Sequence, residues 1–461
     1  MNKIHRIVLA VVLCLAGVSA MGQSVSPVDF MRLNPYQLNS NAATDLPYRC
    51  YFSFLAGNFT LNVENTGLHY DNFFDFNAQG RPEVLNLKKL ANSLKTENRF
   101  GFGFNENLFS FGHSVGDNGM LTFGYNIKLQ SDMRYSDGLF KLLAYGNSAF
   151  VGEDNPANMD VSFNLKAYRE FAVGYQRNIT DKLSIGGRAK VLFGLANVST
   201  DVFNAKLYTD PETYALRFEE NVAVQASVPG VEIIDADGAL NPIFNFGLSD
   251  LFRNPGFGVD LAAEYRFNDR FGMVLAVNDL GFIRWGGNNI RLTSGITDAG
   301  QFYDEGSFLF EGLNVDQIES LISDEQYQGQ FFDTLKQYFQ LEFKPMGRYK
   351  TMLNTDILLR GYCDLDEHNR FTAQVQGCFL GSGFRPAMTV AYNGSFGNVF
   401  DVCVTYTMMK NSYSNVGLGL GLKLGIFNLY ATTSNFISFF DAMNGKTLNV
   451  QVGLVFNLSK K

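Results

Sequence analysis

Apolar and polar residues alternate along most of this chain, and the alternation is cleanest at its end. Leu448, Val450, Val452, Leu454, Phe456 and Leu458 share one face, and Asn449, Gln451, Gly453, Val455 and Asn457 share the other. A period of two marks a β-strand with one apolar face, and about eleven residues suit a tilted strand crossing a bilayer. The pattern recurs upstream. Phe400, Val402, Val404, Tyr406 and Met408 oppose Asp401, Cys403, Thr405 and Thr407. Read along the chain, it predicts fourteen strands, near 48–64, 98–114, 120–132, 158–177, 182–200, 256–267, 270–285, 347–362, 370–380, 384–395, 398–410, 415–424, 426–433 and 448–458. Strand 2 changes phase between Phe104 and Phe109, which predicts a bulge near Asn105–Asn107. Arg169 breaks the apolar face of strand 4 and is expected beyond the hydrocarbon band or at a bulge.

The connections sort by length. The long ones, 65–97, 133–157, 201–255 and 286–345, each join an odd strand to an even one, and the turns between them are tight. In a closed up-and-down barrel, successive connections fall on alternate rims, and outer-membrane barrels keep the long ones outside. An even strand count puts both termini on the periplasmic rim. The fold expected is all-β: a closed antiparallel transmembrane β-barrel of about fourteen strands, with small helices in long extracellular loops. Pro82 followed by Val84, Leu87, Ala91 and Leu94 reads as one helical stripe, and GLFKLLAYG at 138–146 as another. Charged helical runs are expected at 316–323 and 331–339. Lys206–Tyr208 and Thr213–Phe218 are expected to form a hairpin above the barrel.

Composition agrees with strands rather than membrane helices. Of 461 residues 46% are hydrophobic, yet the mean hydropathy is −0.05. Past the N-terminus no run reaches the roughly 18 apolar residues of a spanning helix. Abundant Phe (44), Tyr (21) and Gly (45) suit aromatic girdles and close strand packing. Lys3, His5 and Arg6 precede the apolar run Ile7–Val18 and then Ser19 and Ala20, which reads as a secretory signal. The division expected is a signal peptide at 1–22, a periplasmic arm or plug at 23–47 and the barrel at 48–461. Removing Lys3 and Arg6 from the 37 basic residues leaves 35 against 45 acidic ones, a net charge of −10. That excludes a nucleic-acid binder on charge grounds. Cys50, Cys363, Cys378 and Cys403 fit no disulfide framework.

Catalytic chemistry is thinly represented. His113 and Ser114 are adjacent on a strand and point to opposite faces. Cys363, Asp364, Asp366, Glu367 and His368 crowd a hairpin turn, and Asp235, Asp237 and Gly238 form only half a calcium loop. No enzyme, metal or cofactor is expected. The lumen carries more information. Arg188 and Lys190 on strand 5 should face Asp260 and Glu264 on strand 6, with Lys166 and Glu170 beside them on strand 4. These six are expected to form a polar ladder inside the barrel.

Gln451, Gly453, Phe456 and Leu458 have the spacing of an outer-membrane sorting signal, and they resemble what the barrel-assembly machinery reads. LFSFGHSV (108–115), LFKLLAYGNSAFVG (139–152), AYREFAVGYQRNITDKLSIGGRAKVLFGLANVST (167–200), NDLGFIRW (278–285) and GLGLGLKLGIFNLYATTSN (417–435) resemble a group of uncharacterised outer-membrane barrels of Bacteroidota-type bacteria, a family defined by a domain of unknown function. That group is similar in fold to fatty-acid-transporter-like barrels, which have fourteen strands and an N-terminal hatch. Asn34-Pro35-Tyr36 matches part of those transporters' asparagine–proline–alanine motif. The resemblance implies a passive transporter or channel for small hydrophobic molecules, with a hatch at 23–47 and an apolar pocket or side opening. The alternative is a non-transporting barrel serving as scaffold or subunit of a surface or secretion complex, with a blocked lumen and ordered loop helices. Outer-membrane lipid and the assembly machinery are the expected partners.

Overall fold

The computed structural model describes residues 25–460, apart from 33, 215, 230, 235–239, 245–246, 287–288, 295–323, 325, 327–340, 398, 411 and 441–444. The predicted signal peptide, the predicted helical runs 316–323 and 331–339, and Asp235, Asp237 and Gly238 lie outside the described residues. The wall is one antiparallel sheet of fourteen strands closed on itself. They are β1 (Tyr48–Asn65), β2 (Asn98–Val115), β3 (Gly119–Tyr135), β4 (Val161–Asn178), β5 (Leu183–Thr209), β6 (Pro255–Arg266) and β7 (Phe271–Trp285). There follow β8 (Tyr349–Met352 and Thr355–Asp364), β9 (Asn369–Leu380), β10 (Gly383–Phe396), β11 (Phe400–Met409), β12 (Ser412–Leu424), β13 (Phe427–Thr433) and β14 (Thr447–Lys460). Each pairs with its neighbours in sequence, and β14 returns to β1, with Leu61 opposite Val450.

The two faces of the wall are chemically inverted relative to a water-soluble protein. Leu121, Val173, Phe257, Leu275, Val375 and Leu420 point outward and are exposed. Ser53, Asn126, Glu170, Asp260, Thr405 and Gln451 point inward and are buried. An apolar belt around a polar interior is what hydrocarbon outside the barrel demands, and closure leaves no strand edge to desolvate.

The rims differ as the loop lengths require. One carries the four long connections. The other carries tight turns, the start of β1 and the end of β14. In the turn after β8, Asp366 accepts hydrogen bonds from the backbone N–H groups of His368 (2.7 Å) and Asn369 (2.8 Å) and from the Asn369 side chain. Those bonds, the Asn369 side chain's foremost, hold its carboxyl below the usual range. The polar crowd at 363–368 is thus a self-capped hairpin, and among the described residues no group of three His, Cys, Asp or Glu could hold a metal.

At the long-loop rim the expected helix after Pro82 is shorter than the stripe implied. Pro82–Leu85 is a strand paired with Phe74–Phe76, and helix α1 covers only Leu87–Ser93. Asn86 sets that start, its side chain accepting from the N–H of Lys89 at 2.8 Å. Helix α2 (Gly138–Tyr145) packs beside α1, and Leu68, Leu90, Leu94, Phe100 and Tyr135 form the cluster beneath them. Beyond the belt β5 runs on and pairs with Leu216–Ser227, which extends the wall through Asn289–Ser294 to Leu341–Pro345.

Bulges re-phase the wall. The one in β2 falls at Leu108, between Asn107 and Phe109, one residue past the predicted stretch. Another interrupts β1 between Phe54 and Asn58, where Leu55 has φ +56°. At the closing seam Phe456 stacks on Phe52 (4.7 Å between ring centres) and meets Phe427 at 5.2 Å. Gly453 faces inward there. A Cβ on it would lie 2.5 Å from the carbonyl of Gly57 and from the Tyr430 ring. Gly453→Val is therefore expected to lower the fraction of heat-modifiable, folded barrel at least severalfold, as over-packing costs about 1–3 kcal/mol. Wild-type band intensity after refolding into detergent would show that the seam accepts a side chain.

Candidate functional site

The segment before β1 lies inside the barrel. Pro27 and Pro35 each open a short 3-10 turn (Pro27–Phe30 and Pro35–Asn39), their fixed φ suiting that position. Val25, Val28, Met31, Leu38 and Leu46 are buried, and wall strands all round the lumen bind the segment. Ser26 reaches Thr432 (3.1 Å) and donates to Gln451. Asn105 donates to the Tyr36 hydroxyl at 2.9 Å, Asn278 to the carbonyl of Ser40 at 3.1 Å, and Asn178 to Asp45 at 2.8 Å. Arg360 donates to the carbonyl of Asp29 (2.9 Å) and lies over the Phe30 ring at 4.8 Å. Gly186 lets the segment touch the wall, because a Cβ there would lie 1.9 Å from the carbonyl of Ala42.

Above this segment is a compact charge network. Lys190 lies 2.6 Å from both Asp260 and Asp279 and 3.8 Å from Glu170. Lys128 is 2.7 Å from Glu170 and 3.6 Å from Asp279, and Arg188 is 3.6 Å from Asp260. Three cations thus face three carboxylates, all nearly fully buried except Lys128, whose side chain is 14% exposed. Four of the six predicted ladder residues meet here: Glu170, Arg188, Lys190 and Asp260.

Two of the predicted six do not. Glu264 lies four residues further along β6 towards the tight-turn rim, where it accepts from Tyr362 (2.8 Å) and Asn41 (3.2 Å). Lys166 lies higher and reaches across to the carbonyl of Met352 and to Asn354 at 3.0 Å. Register sets these heights. Arg188 is opposite Asp260, whereas Glu264 is opposite Ser184 and Lys166 is opposite Asn197. Their places are taken by Lys128 and Asp279. Asp279 is delivered by a bulge. Between Leu261–Val277 and Val259–Leu280 the β7 strand holds an extra residue, and Asp279 has φ +54°. Asn278 and Asp279 consequently both turn inward. The sequence carries the signal: the outward apolar phase shifts from Met273, Leu275 and Val277 to Leu280 and Phe282.

A second layer crosses the lumen nearer the long-loop rim. Asp132 on β3 accepts from the backbone N–H of Ser382, in the β9–β10 turn on the opposite wall, at 2.8 Å. Arg385 on β10 forks onto Glu64 of β1, with 2.5 Å between Nη2 and Oε1. The break in β8 turns Leu353 and Asn354 inward, and Leu353 packs with Tyr168, Leu192, Ile283 and Trp285. Between the N-terminal segment and the charge network is a cavity of about 120 Å³, bordered by Ser26, Tyr36, Lys128, Lys190, Asp279 and Gln451 among others. Most of its lining residues carry amide or charged side chains, with Val25, Tyr36, Phe104 and Leu358 among them. The apolar pocket that a hydrophobic cargo implies does not occur there.

Of the predicted sorting residues, Phe456 and Leu458 face outward, Leu458 exposed. Gln451 faces inward, where its Nε2 also donates to Asn58 at 2.5 Å. Cys378 and Cys403 are buried, and neither they nor Cys50 and Cys363 form a disulfide.

Closure, an apolar outer belt and a polar lumen define a transmembrane β-barrel whose lumen is crossed by contacts at two levels. The chain belongs to a family of unknown function (DUF5723), whose model matches residues 42–434. No curated protein matches it. Among solved structures it is similar to a TodX monoaromatic hydrocarbon channel carrying a ΔS2S3 deletion (TM-score 0.42, 9% identity, covering 96% of this chain and 98% of that one). It is also similar to a FadL homologue of Pseudomonas aeruginosa (0.42, 10%, 95% and 96%), and to the translocator domain of the autotransporter NalP from Neisseria meningitidis (0.33, 8%, 91% and 92%).

Removing one charge from the network leaves its partners buried and unpaired, a loss of about 3–5 kcal/mol. Lys190→Met should accordingly lower the urea midpoint of the detergent-refolded barrel substantially, and adding Asp279→Asn should restore part of it. Equal midpoints for wild type and Lys190→Met would mean the network is solvated.

Proposed function

We propose that the protein is an outer-membrane barrel that does not conduct solute in its resting state and serves as a scaffold, presenting its structured long-loop rim to a partner in a surface complex. In this reading residues 1–22 are removed on export, residues 23–47 are the plug, the long loops face outward and both termini are periplasmic. One observation carries it: the lumen is crossed twice, by the bound segment 25–47 and by the Asp132–Ser382 and Glu64–Arg385 contacts above. Helices α1 and α2, packed on a common apolar cluster, give the rim an ordered surface. The many amide and charged residues around the cavity between segment and network suit retained water better than a hydrocarbon cargo.

Planar-bilayer recording of the full chain tests this, with folded insertion checked by heat-modifiable migration. Wild type is expected to give no stepwise conductance, and the detergent-extracted protein is expected to hold no stoichiometric apolar molecule in its lumen. Steady channel steps, or an apolar ligand retained between plug and upper layer, would return the transporter reading.

A further inference from the structure

Arg169 is a cation on the wrong side of the wall. Register places it between Ile127 of β3 and Phe193 of β5, both on the outward face. It is only 8% exposed, yet its Nε and Nη2 have no acceptor. Its neighbours are rings instead. The guanidinium carbon lies 6.0 Å from the centre of Phe193 and 5.6 Å from that of Phe252. Phe252 ends the short turn Leu248–Phe252, which packs against β5 from outside, and it is 61% exposed, with Leu251 40% exposed beside it. Nε–H and one Nη2–H are the parallel pair of the guanidinium edge, the edge that binds a carboxylate or phosphate at two points.

The height of the site is fixed by pairing. Val191 lies opposite Phe257, and both are exposed residues of the apolar belt. Phe193, level with Arg169, lies opposite Pro255, the first residue of β6. Arg169 therefore stands at the edge of the belt nearest the long-loop rim. Three exposed cations stand along the same edge on adjoining elements. Arg253 follows the Phe252 turn, and Arg284 and Lys350 are a cross-strand pair on β7 and β8. Lys350 lies over the Phe282 ring at 5.0 Å. Among the described residues Asp250, bound to Arg253 at 2.9 Å, is the carboxylate paired to any of these four. A charged side chain placed against hydrocarbon calls for a partner, and the neighbouring aromatic groups mark the water–lipid interface.

We infer that this aromatic and basic edge is a binding site for the phosphorylated headgroup of an anionic lipid, with Arg169 as its central two-point donor. The lipid source, though not the site chemistry, rests on the outer-membrane reading above. The test is native mass spectrometry of the full chain, delipidated in detergent and titrated with diphosphorylated lipid A, with its dephosphorylated form and with inorganic phosphate as competitor. Lipid A should bind one to one, and loss of its phosphates should weaken it about tenfold or more, as expected for a charge-assisted bidentate contact. Arg169→Gln should weaken lipid A binding similarly with folded migration unchanged. If Arg169→Gln fails to fold, the Arg284→Gln/Lys350→Gln pair should still lower affinity severalfold, while Lys410→Gln, at the Glu97 pair, should not. Wild-type binding by all the folded edge variants, or equal binding of the dephosphorylated lipid, would overturn the site. Full displacement by equimolar inorganic phosphate would overturn its assignment to lipid. Because the readout is in detergent, a failed outer-membrane localisation would be seen separately, by cell fractionation.

Discussion

A sheet surrounded by hydrocarbon cannot leave an edge open, because no water is present to satisfy its N–H and C=O groups. The bond between β1 and β14 is therefore the constraint on which the whole molecule depends. It explains why the last strand is so regular and why that seam is packed with Phe52, Phe427 and Phe456 outside. It also explains why Gly453 and Gly57 lie close together inside. The bulge at Phe54–Asn58 falls on the same strand and interrupts its pairing with both neighbours, β14 and β2.

Closing fourteen strands creates an interior too wide for wall side chains alone to fill. This chain fills it twice. The N-terminal segment occupies the half nearest the tight turns, and side chains from opposing walls meet in the other half. Each solution brings buried charge, and buried charge is tolerated only when paired and hydrogen-bonded. The Lys128, Arg188, Lys190, Glu170, Asp260 and Asp279 network meets that condition with equal numbers of each sign. The N-terminal segment is tied to this network: Arg188 donates to Asn39, and Asn278, next to Asp279, donates to the carbonyl of Ser40.

The outer face of the barrel was legible in the sequence because lipid imposes one rule on every outward residue. Loop parity was legible for a similar reason, since closure forces connections onto alternate rims. The interior obeys no such rule. Any polar residue facing inward satisfies a wide lumen, so period alone placed Glu264 and Lys166 with partners that register then separates from them. Asp279 was hidden by its bulge, although the phase change from Val277 to Leu280 marks where the strand re-aims. Inter-wall contacts such as Asp132 with Ser382 leave no local trace at all, because they depend on which strands closure sets across the lumen from one another.

The same asymmetry tells where recognition is to be sought. A balanced network inside the lumen presents little net field to a passing solute, since its cations already face carboxylates at 2.6–3.8 Å. On the outside, by contrast, lipid should have excluded charge altogether, so an outward guanidinium held between Phe193 and Phe252 with buried N–H groups that have no acceptor is not accounted for by the fold. Stability argues for an apolar residue there, as at the neighbouring Phe171 and Ile127. Retaining arginine at that height makes physical sense when an anion from the surroundings completes it, so the unmet electrostatic demand lies on the outer surface and not in the pore.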